Sequence, residues 1–267
     1  MISYGYNFED VYIQRLFPGK KDGFYIDVGA ADPIEGSVTK HFYDLGWTGV
    51  NLEPQEAYFN RLQQERPRDI NLQLAAGTSE EERTFYSLDG KGGSTLDAGN
   101  AESGSGRGFQ VTPMLVRLTT LKKVCETHVR KPIDFIKIDV EGWEGDVLAG
   151  ADWRTFRPLL VIVEATKPFS PEPCHQQWEP LLLEAGYRFA FFDGLNRYYL
   201  REEDASLTER LAVPANVFDD FTPYQQYFAM EELARLKSSS FKQSKFYQFF
   251  RRLEHRFRHR FLKRSPR

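Results

Sequence analysis

Short apolar runs alternate with helical patterns along most of the chain, and this alternation restricts the fold more than any other feature of the sequence. The runs cover residues 24–28, 47–52, 70–75, 134–138 and 159–163. Apolar residues at helical spacing predict helices at 4–17, 37–45, 55–66, 121–129, 144–150 and 176–185. Strands that alternate with helices favour a parallel sheet covered by helices on both faces. We therefore expect an α/β domain built on a mostly parallel sheet.

Three further segments add to this plan. Residues 187–200 read as an antiparallel hairpin that turns at Asp193-Gly194 and closes one edge of the sheet. Residues 82–88 read as an extra strand. Residues 90–108 contain seven glycines, so this segment cannot bury a core of its own. We expect a loop there, either a lid over a site or a disordered excursion.

The charge is divided unevenly between two parts of the chain. Residues 237–267 carry eleven lysines and arginines against the single acid Glu254, whereas the first 236 residues carry 24 basic and 37 acidic side chains. We therefore predict a folded domain over residues 1–236 and a basic tail over residues 237–267 that meets a different partner.

The basic tail repeats aromatic residues at helical spacing over residues 241–264. A helix with an apolar stripe and a cationic opposite face is typical of attachment to an anionic membrane surface. The alternative is a helix that docks on the acidic domain through its aromatic residues. No nucleic-acid partner is expected, because no recognition motif accompanies the charge.

Composition favours a cytoplasmic protein. No apolar run approaches the roughly 18 to 20 residues of a transmembrane helix, and the N-terminal sequence MISYGYNFED lacks the pattern of a signal peptide. The two cysteines, Cys125 and Cys174, offer no disulfide framework and read as buried thiols. If the tail binds lipid, we expect peripheral attachment to the inner face of the membrane. The oligomeric state stays open.

Acidic side chains follow four of the five predicted parallel strands. They are, in chain order, Asp27, Glu53, Asp139 with Glu141, and Glu164. An open parallel sheet binds its ligands at the carboxyl ends of the strands. These carboxylates are therefore the first candidates for a functional site.

The loop after the first strand, DVGAADP, indicates the kind of ligand. It lacks the G-x-G-x-x-G pattern that binds a dinucleotide pyrophosphate, and a carboxylate would repel that group. S-adenosylmethionine carries an ammonium and a sulfonium, so an acid beside Gly29 suits it better. Glu53 would accept the ribose hydroxyls of either ligand. An NAD-dependent reductase is thus the disfavoured alternative. A further alternative is that Asp27 only caps the following turn and that Glu53 lies in solvent.

Five segments carry a resemblance to a known family: GFYIDVGAADP, GVNLEP, PIDFIKIDVEGWEGDVLAG, the early SYGYNFEDV and the late FFDGLNRYYL. Over roughly residues 3–220, the chain resembles the FkbM-type S-adenosylmethionine-dependent methyltransferases. The resemblance implies a Rossmann-like class I methyltransferase fold and methyl transfer to a hydroxyl, usually of a sugar or a polyketide-type product. Two positions depart from the family, because Ala31 stands where many members have Asn, and Tyr6 where many have Gln.

The resemblance and the strand-end argument together give a predicted cofactor site for S-adenosylmethionine. Both select Asp27, Gly29 and Glu53. The full predicted set is Asp27, Gly29, Ala31, Asp32, Glu53, Pro54 and Ala75.

The transferred methyl group should lie at the end of the fourth strand, so Asp139 and Glu141 are predicted to be catalytic. A hydroxyl is a poor nucleophile and must lose its proton to a base or to a metal-assisted step. Asp139 with Glu164 could hold Mg²⁺, which would bind a sugar diol and lower its pKa. Alternatively, Asp139 only accepts hydrogen bonds. His175, after the fifth strand, is the second candidate base.

A sugar or glycan is the predicted acceptor. Its candidate contacts are Lys137, Asp193, Asn196 and Arg197. Lys137 also suits an ion pair, and the other three also suit a hairpin turn. Two alternatives stay open: a methyltransferase that acts on a non-sugar hydroxyl, and a non-catalytic binding module of the same fold.

Overall fold

The computed structural model describes residues 1–89 and 93–238, with side chains up to residue 235. The helix predicted at 241–264 lies outside the described residues. The chain divides into two compact units. The larger contains Met1 and Ser3–Phe221, and the smaller contains Ile2 and, within the described chain, the residues from Thr222 to Ser238.

Twelve strands and eight α-helices make up the described chain. The strands are β1 (Ile2–Ser3), β2 (Phe24–Val28), β3 (Thr48–Leu52), β4 (Ile70–Leu72), β5 (Ala75–Gly77), β6 (Glu82–Leu88), β7 (Val111–Thr120), β8 (Phe135–Ile138), β9 (Leu160–Glu164), β10 (Tyr187–Phe192), β11 (Asn196–Arg201) and β12 (Thr222–Pro223). The α-helices are α1 (Glu9–Leu16), α2 (Lys40–Asp44), α3 (Glu56–Glu65), α4 (Ala98–Gly106), α5 (Leu121–His128), α6 (Glu144–Ala149), α7 (Glu179–Leu183) and α8 (Tyr224–Ser238). None of these described helices has the length and apolar character needed to cross a bilayer.

A seven-stranded sheet forms the centre of the larger unit, in the order β10-β11-β9-β8-β2-β3-β4. Strands β2, β3, β4, β8 and β9 are parallel, while β11 runs antiparallel to β9 and forms a hairpin with β10. The order reverses between β2 and β8, because β3 extends the sheet on one side and β9 on the other. The predicted mostly parallel sheet with an antiparallel edge hairpin is confirmed.

Alternating side chains of the central strands build a core on each face of this sheet. In β2, Ile26 and Val28 pack with residues of α5, α6 and α7, whereas Tyr25 packs with residues of α1 and α2. In β9, Val161 and Ile162 divide between the two faces in the same way. This period of two is the geometry of an extended strand, and it confirms that helices cover both faces.

We expected the third apolar run, residues 70–75, to form one strand, but the structure has two strands there. β4 joins the central sheet, whereas β5 pairs in parallel with β7. A separate three-stranded sheet results, in the order β5-β7-β6. Strand β7 was not predicted, because its first half is largely exposed and contains Pro113, so it shows no buried apolar run.

The glycine-rich segment is not a loop throughout, because residues 98–106 form α4. The side chain of Asp97 accepts a hydrogen bond from the N–H of Asn100 (2.7 Å) and caps the helix. A glycine inside a helix costs about 1 kcal/mol relative to alanine. Here Gly104 packs so closely on β6 that a Cβ would lie 2.4 Å from Cδ2 of Leu88. Close packing therefore explains why Gly104 stands inside a helix, although the glycine content of residues 90–108 predicted a loop.

Two predicted helices are shorter than expected. The segment 4–17 becomes helical only at Glu9, and Phe8 before it has a left-handed backbone, with φ of 62°. The segment 176–185 divides into a 3₁₀ turn at His175–Gln177 and the short helix α7.

Candidate active site

The carboxyl ends of the central strands open into a cleft with a volume of about 320 Å³. Val28 and Leu52, at the ends of β2 and β3, form part of its apolar wall, and Phe85 and Leu96 line it from the β6 side. The cleft lies where the strand order reverses, which is the ligand-binding place of open parallel sheets. Its volume suits a small molecule.

Two residues with positive φ shape the loop after β2. Gly29 has φ of 79°, and a Cβ there would lie 2.0 Å from the carbonyl oxygen of Asp139. Glycine is therefore required where the ends of β2 and β8 approach each other. Ala31 has φ of 48°, and its N–H donates to Oε2 of Glu53 (2.8 Å). This bond ties the loop to the end of β3.

Glu53 is a buried carboxylate in the wall of the cleft. Its Oε1 accepts a hydrogen bond from the N–H of Gln55 (2.8 Å), and its Oε2 accepts that of Ala31. Burial raises the pKa of Glu53 to about 7, against the effect of these two N–H groups. Each oxygen accepts one backbone bond and has capacity for another, so Glu53 can also bind ligand hydroxyls.

Asp27 does not line the cleft, although we expected it to contact the cofactor. Because side chains alternate along β2, Asp27 lies on the same face as Tyr25 and is buried there. Its Oδ2 accepts a hydrogen bond from Oγ1 of Thr39 (3.0 Å), and its Oδ1 lies 3.8 Å from Nζ of Lys137. The structure gives Asp27 a supporting position behind the cleft.

Asp139, Glu141 and Glu164 form a carboxylate cluster that lines the cleft at the ends of β8 and β9. One oxygen from each lies within 4.8 Å of the others. Burial, with the charges of Asp139 and Glu141, holds the pKa of Glu164 well above its usual range, and burial raises the pKa of Glu141 to about 7. Oε2 of Glu164 is buried and has no hydrogen-bond partner among the described residues. A buried, unpaired carboxylate is costly, so a cation would stabilise the cluster.

The loop that carries Glu141 is held from two sides. Glu141 has φ of 58°, and its carbonyl oxygen accepts hydrogen bonds from Oγ1 of Thr95 (2.8 Å) and Nδ2 of Asn100 (3.2 Å). On the other side, Oε1 of Glu144 accepts the N–H of Val140 (3.0 Å). The glycine-rich segment thus positions the carboxylate cluster.

Lys137 connects the cluster to the loop after β2. Its Nζ lies 3.4 Å from Oδ2 of Asp139 and donates to the carbonyl oxygen of Gly29 (3.2 Å). Burial favours the neutral form of Lys137, but the carboxylates of Asp139 and Asp27 outweigh this and raise its pKa. Lys137 therefore stays charged, which fits its alternative role as an ion-pair partner. Its side chain also lines the cleft.

Comparison with known proteins decides the family. Residues 27–189, more than half of the chain, match the model of the methyltransferase FkbM domain. The chain belongs to the FkbM methyltransferase family. The resemblance seen in the sequence is confirmed, and with it the class I methyltransferase fold and S-adenosylmethionine as the methyl donor.

Three solved structures are weakly similar to this FkbM-family chain. A TehB-like SAM-dependent methyltransferase from Corynebacterium glutamicum is 7% identical, with a TM-score of 0.40 and coverage of 72% of this chain and 87% of that one. The Methanococcus jannaschii fibrillarin pre-rRNA processing protein is 14% identical, with a TM-score of 0.38 and coverage of 68% of each chain. CalO1, a methyltransferase in calicheamicin biosynthesis in its SAH-bound form, is 14% identical, with a TM-score of 0.33 and coverage of 73% and 54%. Comparison with curated proteins found no match. The family assignment rests on the domain match alone.

The lining of the cleft fits the methyl donor of an FkbM-family protein. Among the described residues, six acidic side chains line it against one basic side chain, that of Lys137. The acids are Asp32, Glu35, Glu53, Asp139, Glu141 and Glu164. S-adenosylmethionine carries a sulfonium and an ammonium, so this charge balance favours its binding. The predicted contacts Gly29, Ala31, Asp32, Glu53, Pro54 and Ala75 all line the cleft.

His175, a candidate base, is not among the residues that line the cleft. It lies in the 3₁₀ turn before α7, with Nε2 3.8 Å from Oε2 of Glu179. Burial lowers its pKa. The chain returns to the end of β9 at Cys174, whose N–H donates to the carbonyl oxygen of Ala165 (2.8 Å). His175 nevertheless neither lines the cleft nor belongs to the carboxylate cluster.

The three polar residues of the hairpin turn, which were candidate acceptor contacts, do not line the cleft, although Leu195 of the same turn does. Asp193 closes the turn by accepting the N–H groups of Leu195 (2.8 Å) and Asn196 (2.7 Å). Asn196 donates to Oε1 of Glu9 (3.1 Å). Arg197 forms an ion pair with Glu179 (2.8 Å). These contacts within the fold account for the three polar residues that we expected to contact the acceptor.

Three aromatic residues of the cleft were missed in the sequence. Tyr6 precedes α1, Tyr58 lies on α3 and Phe85 lies on β6, and all line the cleft. None follows a strand of the central sheet, so the strand-end rule could not select them. Phe85 belongs to a strand that was predicted, but only its pairing with the unpredicted β7 places it over the site.

Proposed function

We propose that this protein is an S-adenosylmethionine-dependent O-methyltransferase that acts on a sugar or glycan hydroxyl and uses a divalent cation. The observation that carries the proposal is the carboxylate cluster, with the buried Oε2 of Glu164 lacking a hydrogen-bond partner in the described chain. Family membership gives methyl transfer in general. The hydroxyl acceptor and the cation are inferred from the cluster.

The donor set suits a hard cation such as Mg²⁺. Magnesium binds through one or two carboxylates and keeps several waters, and Asp139 and Glu164 offer such a pair within 4.8 Å. When bound, the cation would lower the pKa of a coordinated hydroxyl.

The residues around the cluster have separate tasks in this proposal. Glu53 accepts hydrogen bonds from the ribose of the donor, and Gly29 lets the donor approach the backbone. Lys137 holds Asp139 by its ion pair at 3.4 Å. Glu141 accepts the proton of the acceptor hydroxyl, since its carboxylate lies in the cluster beside Asp139 and lines the cleft.

The remaining lining of the cleft favours a sugar. Tyr6, Tyr58, Glu35 and Gln55 line the same cleft as the cluster. Tyrosine rings can stack on the apolar faces of a sugar, and carboxylates and amides hydrogen-bond its hydroxyls.

A transfer assay tests the reaction. Radiolabelled S-adenosylmethionine is incubated with a panel of mono- and oligosaccharides, and labelled product is counted. We expect incorporation with Mg²⁺ that falls at least tenfold with excess EDTA, and a fall of about 100-fold in Glu141→Gln. Full incorporation in EDTA would exclude the cation, and transfer confined to non-sugar hydroxyls would exclude the acceptor class.

A binding experiment tests the cation apart from catalysis. Titration with Mn²⁺, followed by electron paramagnetic resonance, should detect one site whose affinity falls at least tenfold in Glu164→Gln. Glu35→Gln is the matched control, since it removes a carboxylate of the same cleft outside the cluster. Unchanged Mn²⁺ affinity in Glu164→Gln would mean that the cluster does not hold the ion.

A further inference from the structure

Residues 211–220 form a surface loop that exposes large apolar side chains. Phe218 is 94% exposed and Val217 is 87% exposed, and Val213 in the same loop is 54% exposed. Single exposed apolar residues are ordinary on protein surfaces. An adjacent Val-Phe pair, nearly as exposed as in an unfolded chain, is not.

Contacts with α1 fix this loop in place. Arg15 pairs with Asp219 (2.7 Å) and donates to the carbonyl oxygen of Val213 (2.7 Å). The N–H of Ala215 donates to the hydroxyl of Tyr12 (3.1 Å). The exposure of the apolar pair is therefore a built feature of the fold, since the backbone on both sides of it is anchored.

Local caps also hold Val217 and Phe218 outward. The side chain of Asn216 accepts the N–H of Phe218 (3.0 Å), and the side chain of Asp219 accepts the N–H of Asn216 (2.8 Å). This reciprocal capping closes the turn at Val217–Asp219. Because the N–H groups of Asn216, Phe218 and Asp219 are bonded within the turn, the tip can enter an apolar medium with fewer unpaired N–H groups.

We propose that the 211–220 loop inserts Val217 and Phe218 into the surface of an anionic lipid bilayer. The charge of the C-terminal segment favours this partner over a protein, because residues 237–267 add eleven basic side chains and one acid close behind the loop in sequence. Lysine and arginine near an anionic surface are attracted to it, while exposed apolar side chains enter the headgroup boundary. A bilayer is also an extended surface, so the loop and the basic segment can both reach it without a fixed geometry between them.

The acidic groups of the loop do not oppose this orientation strongly. Asp219 is neutralised by its ion pair with Arg15, and the guanidinium also lies against the loop carbonyls. Asp220 remains as an exposed acid beside the tip. The basic segment outweighs it in number.

Vesicle flotation of the full-length chain tests the proposal. Vesicles of phosphatidylcholine with 30 mol% phosphatidylglycerol should float the protein, and the double variant Val217→Ser/Phe218→Ser should partition about tenfold more weakly. Leu115→Ser is the matched control, because Leu115 is an exposed apolar residue (64%) on β7. It should float like the parent chain. Equal flotation of the double variant and the parent would overturn the proposal.

A fluorescence measurement reports insertion directly. Phe218→Trp should show a blue-shifted emission on mixing with the anionic vesicles, whereas Leu115→Trp should not. Both positions are exposed, so neither change disturbs the core, and thermal melting checks the fold. An unshifted emission from Phe218→Trp on vesicles that bind the protein would overturn insertion. Loss of self-association in the double variant, without loss of flotation, would instead indicate a second copy of the chain as the partner.

Discussion

Ala31 shows how a single residue can sit in a conformation that its side chain does not favour. Its φ of 48° lies in the left-handed region, where a Cβ crowds the backbone at a cost of roughly 1–2 kcal/mol. Asparagine tolerates this region better than alanine. The backbone conformation by itself would therefore favour an asparagine at this position.

Ala31→Asn should therefore stabilise the protein by about 1 kcal/mol, because Asn relieves the left-handed strain. The side chain of Ala31 is exposed, so the amide has room. The measurement is the free energy of unfolding in urea. Ala31→Val is the contrasting variant and should destabilise, since a β-branched residue is least compatible with positive φ. Equal stabilities of the three proteins would contradict the strain argument.

At the scale of elements, a buried arginine joins α3 to the loop that follows β2. Arg66 is fully buried and donates to the carbonyl oxygen of Pro33 (2.8 Å) and to Oγ of Ser37 (2.7 Å). Its partner Asp69 accepts hydrogen bonds from the hydroxyl of Tyr25 (2.6 Å) and lies 3.7 Å from the guanidinium. This network fixes the loop that borders the cofactor side of the cleft.

Arg66→Met should destabilise the protein by about 3–5 kcal/mol, because it leaves Asp69 buried without its cation. The free energy of unfolding in urea is the measurement. Arg68→Met, at an exposed position two residues on, is the control and should cost less than about 1 kcal/mol. Adding Asp69→Asn to Arg66→Met should recover part of the loss. If the double variant is no more stable than Arg66→Met, the loss does not come from the stranded charge.

The sequence predicted those elements whose pattern is local. β2, β8 and β9 are buried on both faces and appear as continuous apolar runs, so they were found, together with the carboxylates that follow them. α4 and β7 were missed, because close packing of Gly104 on Leu88 and long-range pairing with β6 decide their structure. The site divides in the same way. Glu53 and the carboxylate cluster could be predicted, because these residues follow the ends of strands. The burial of Asp27 behind the cleft and the position of Phe85 in the cleft wall depend on the tertiary fold.

At the scale of the whole molecule, Glu9 connects the first helix of the larger unit to its last hairpin. Its Oε1 accepts a hydrogen bond from Asn196 (3.1 Å), and its Oε2 accepts the N–H of Asn7 (3.0 Å). Burial raises the pKa of Glu9 to about 7, and the charges of Asp193 and Asp10 act in the same direction. The charge of Lys137 opposes them.

The stability of the protein should fall as the pH rises from about 4.5 to about 7. In this range the unfolded chain has released the Glu9 proton while the folded chain keeps it, so the folded state binds more protons. Glu9 contributes on the order of 3 kcal/mol to the free energy of unfolding. This contribution is fully present below a pH of about 4.5 and is lost above a pH of about 7. Burial also raises the pKa values of Glu53 and Glu144 to about 7, so these groups add to the trend.

Urea unfolding between pH 4.5 and 8 measures this dependence. Glu9→Gln should reduce the slope of the unfolding free energy against pH. It should not remove the slope, because other carboxylates with raised pKa values remain, among them Glu53, Glu141 and Glu144. Glu81→Gln, at an exposed position, serves as the control and should leave the slope unchanged. A slope in Glu9→Gln equal to that of the parent chain would rule out Glu9 as a source.

The excess of acidic side chains around the cleft has a consequence for turnover. Methyl transfer converts the sulfonium of S-adenosylmethionine into a neutral thioether, so the spent cofactor carries one positive charge less than the donor. The acidic lining attracts the positively charged donor more strongly than the product. The cleft therefore has a lower affinity for the demethylated cofactor than for S-adenosylmethionine. The acidic side chains that favour binding of the donor thus also favour its replacement after the reaction.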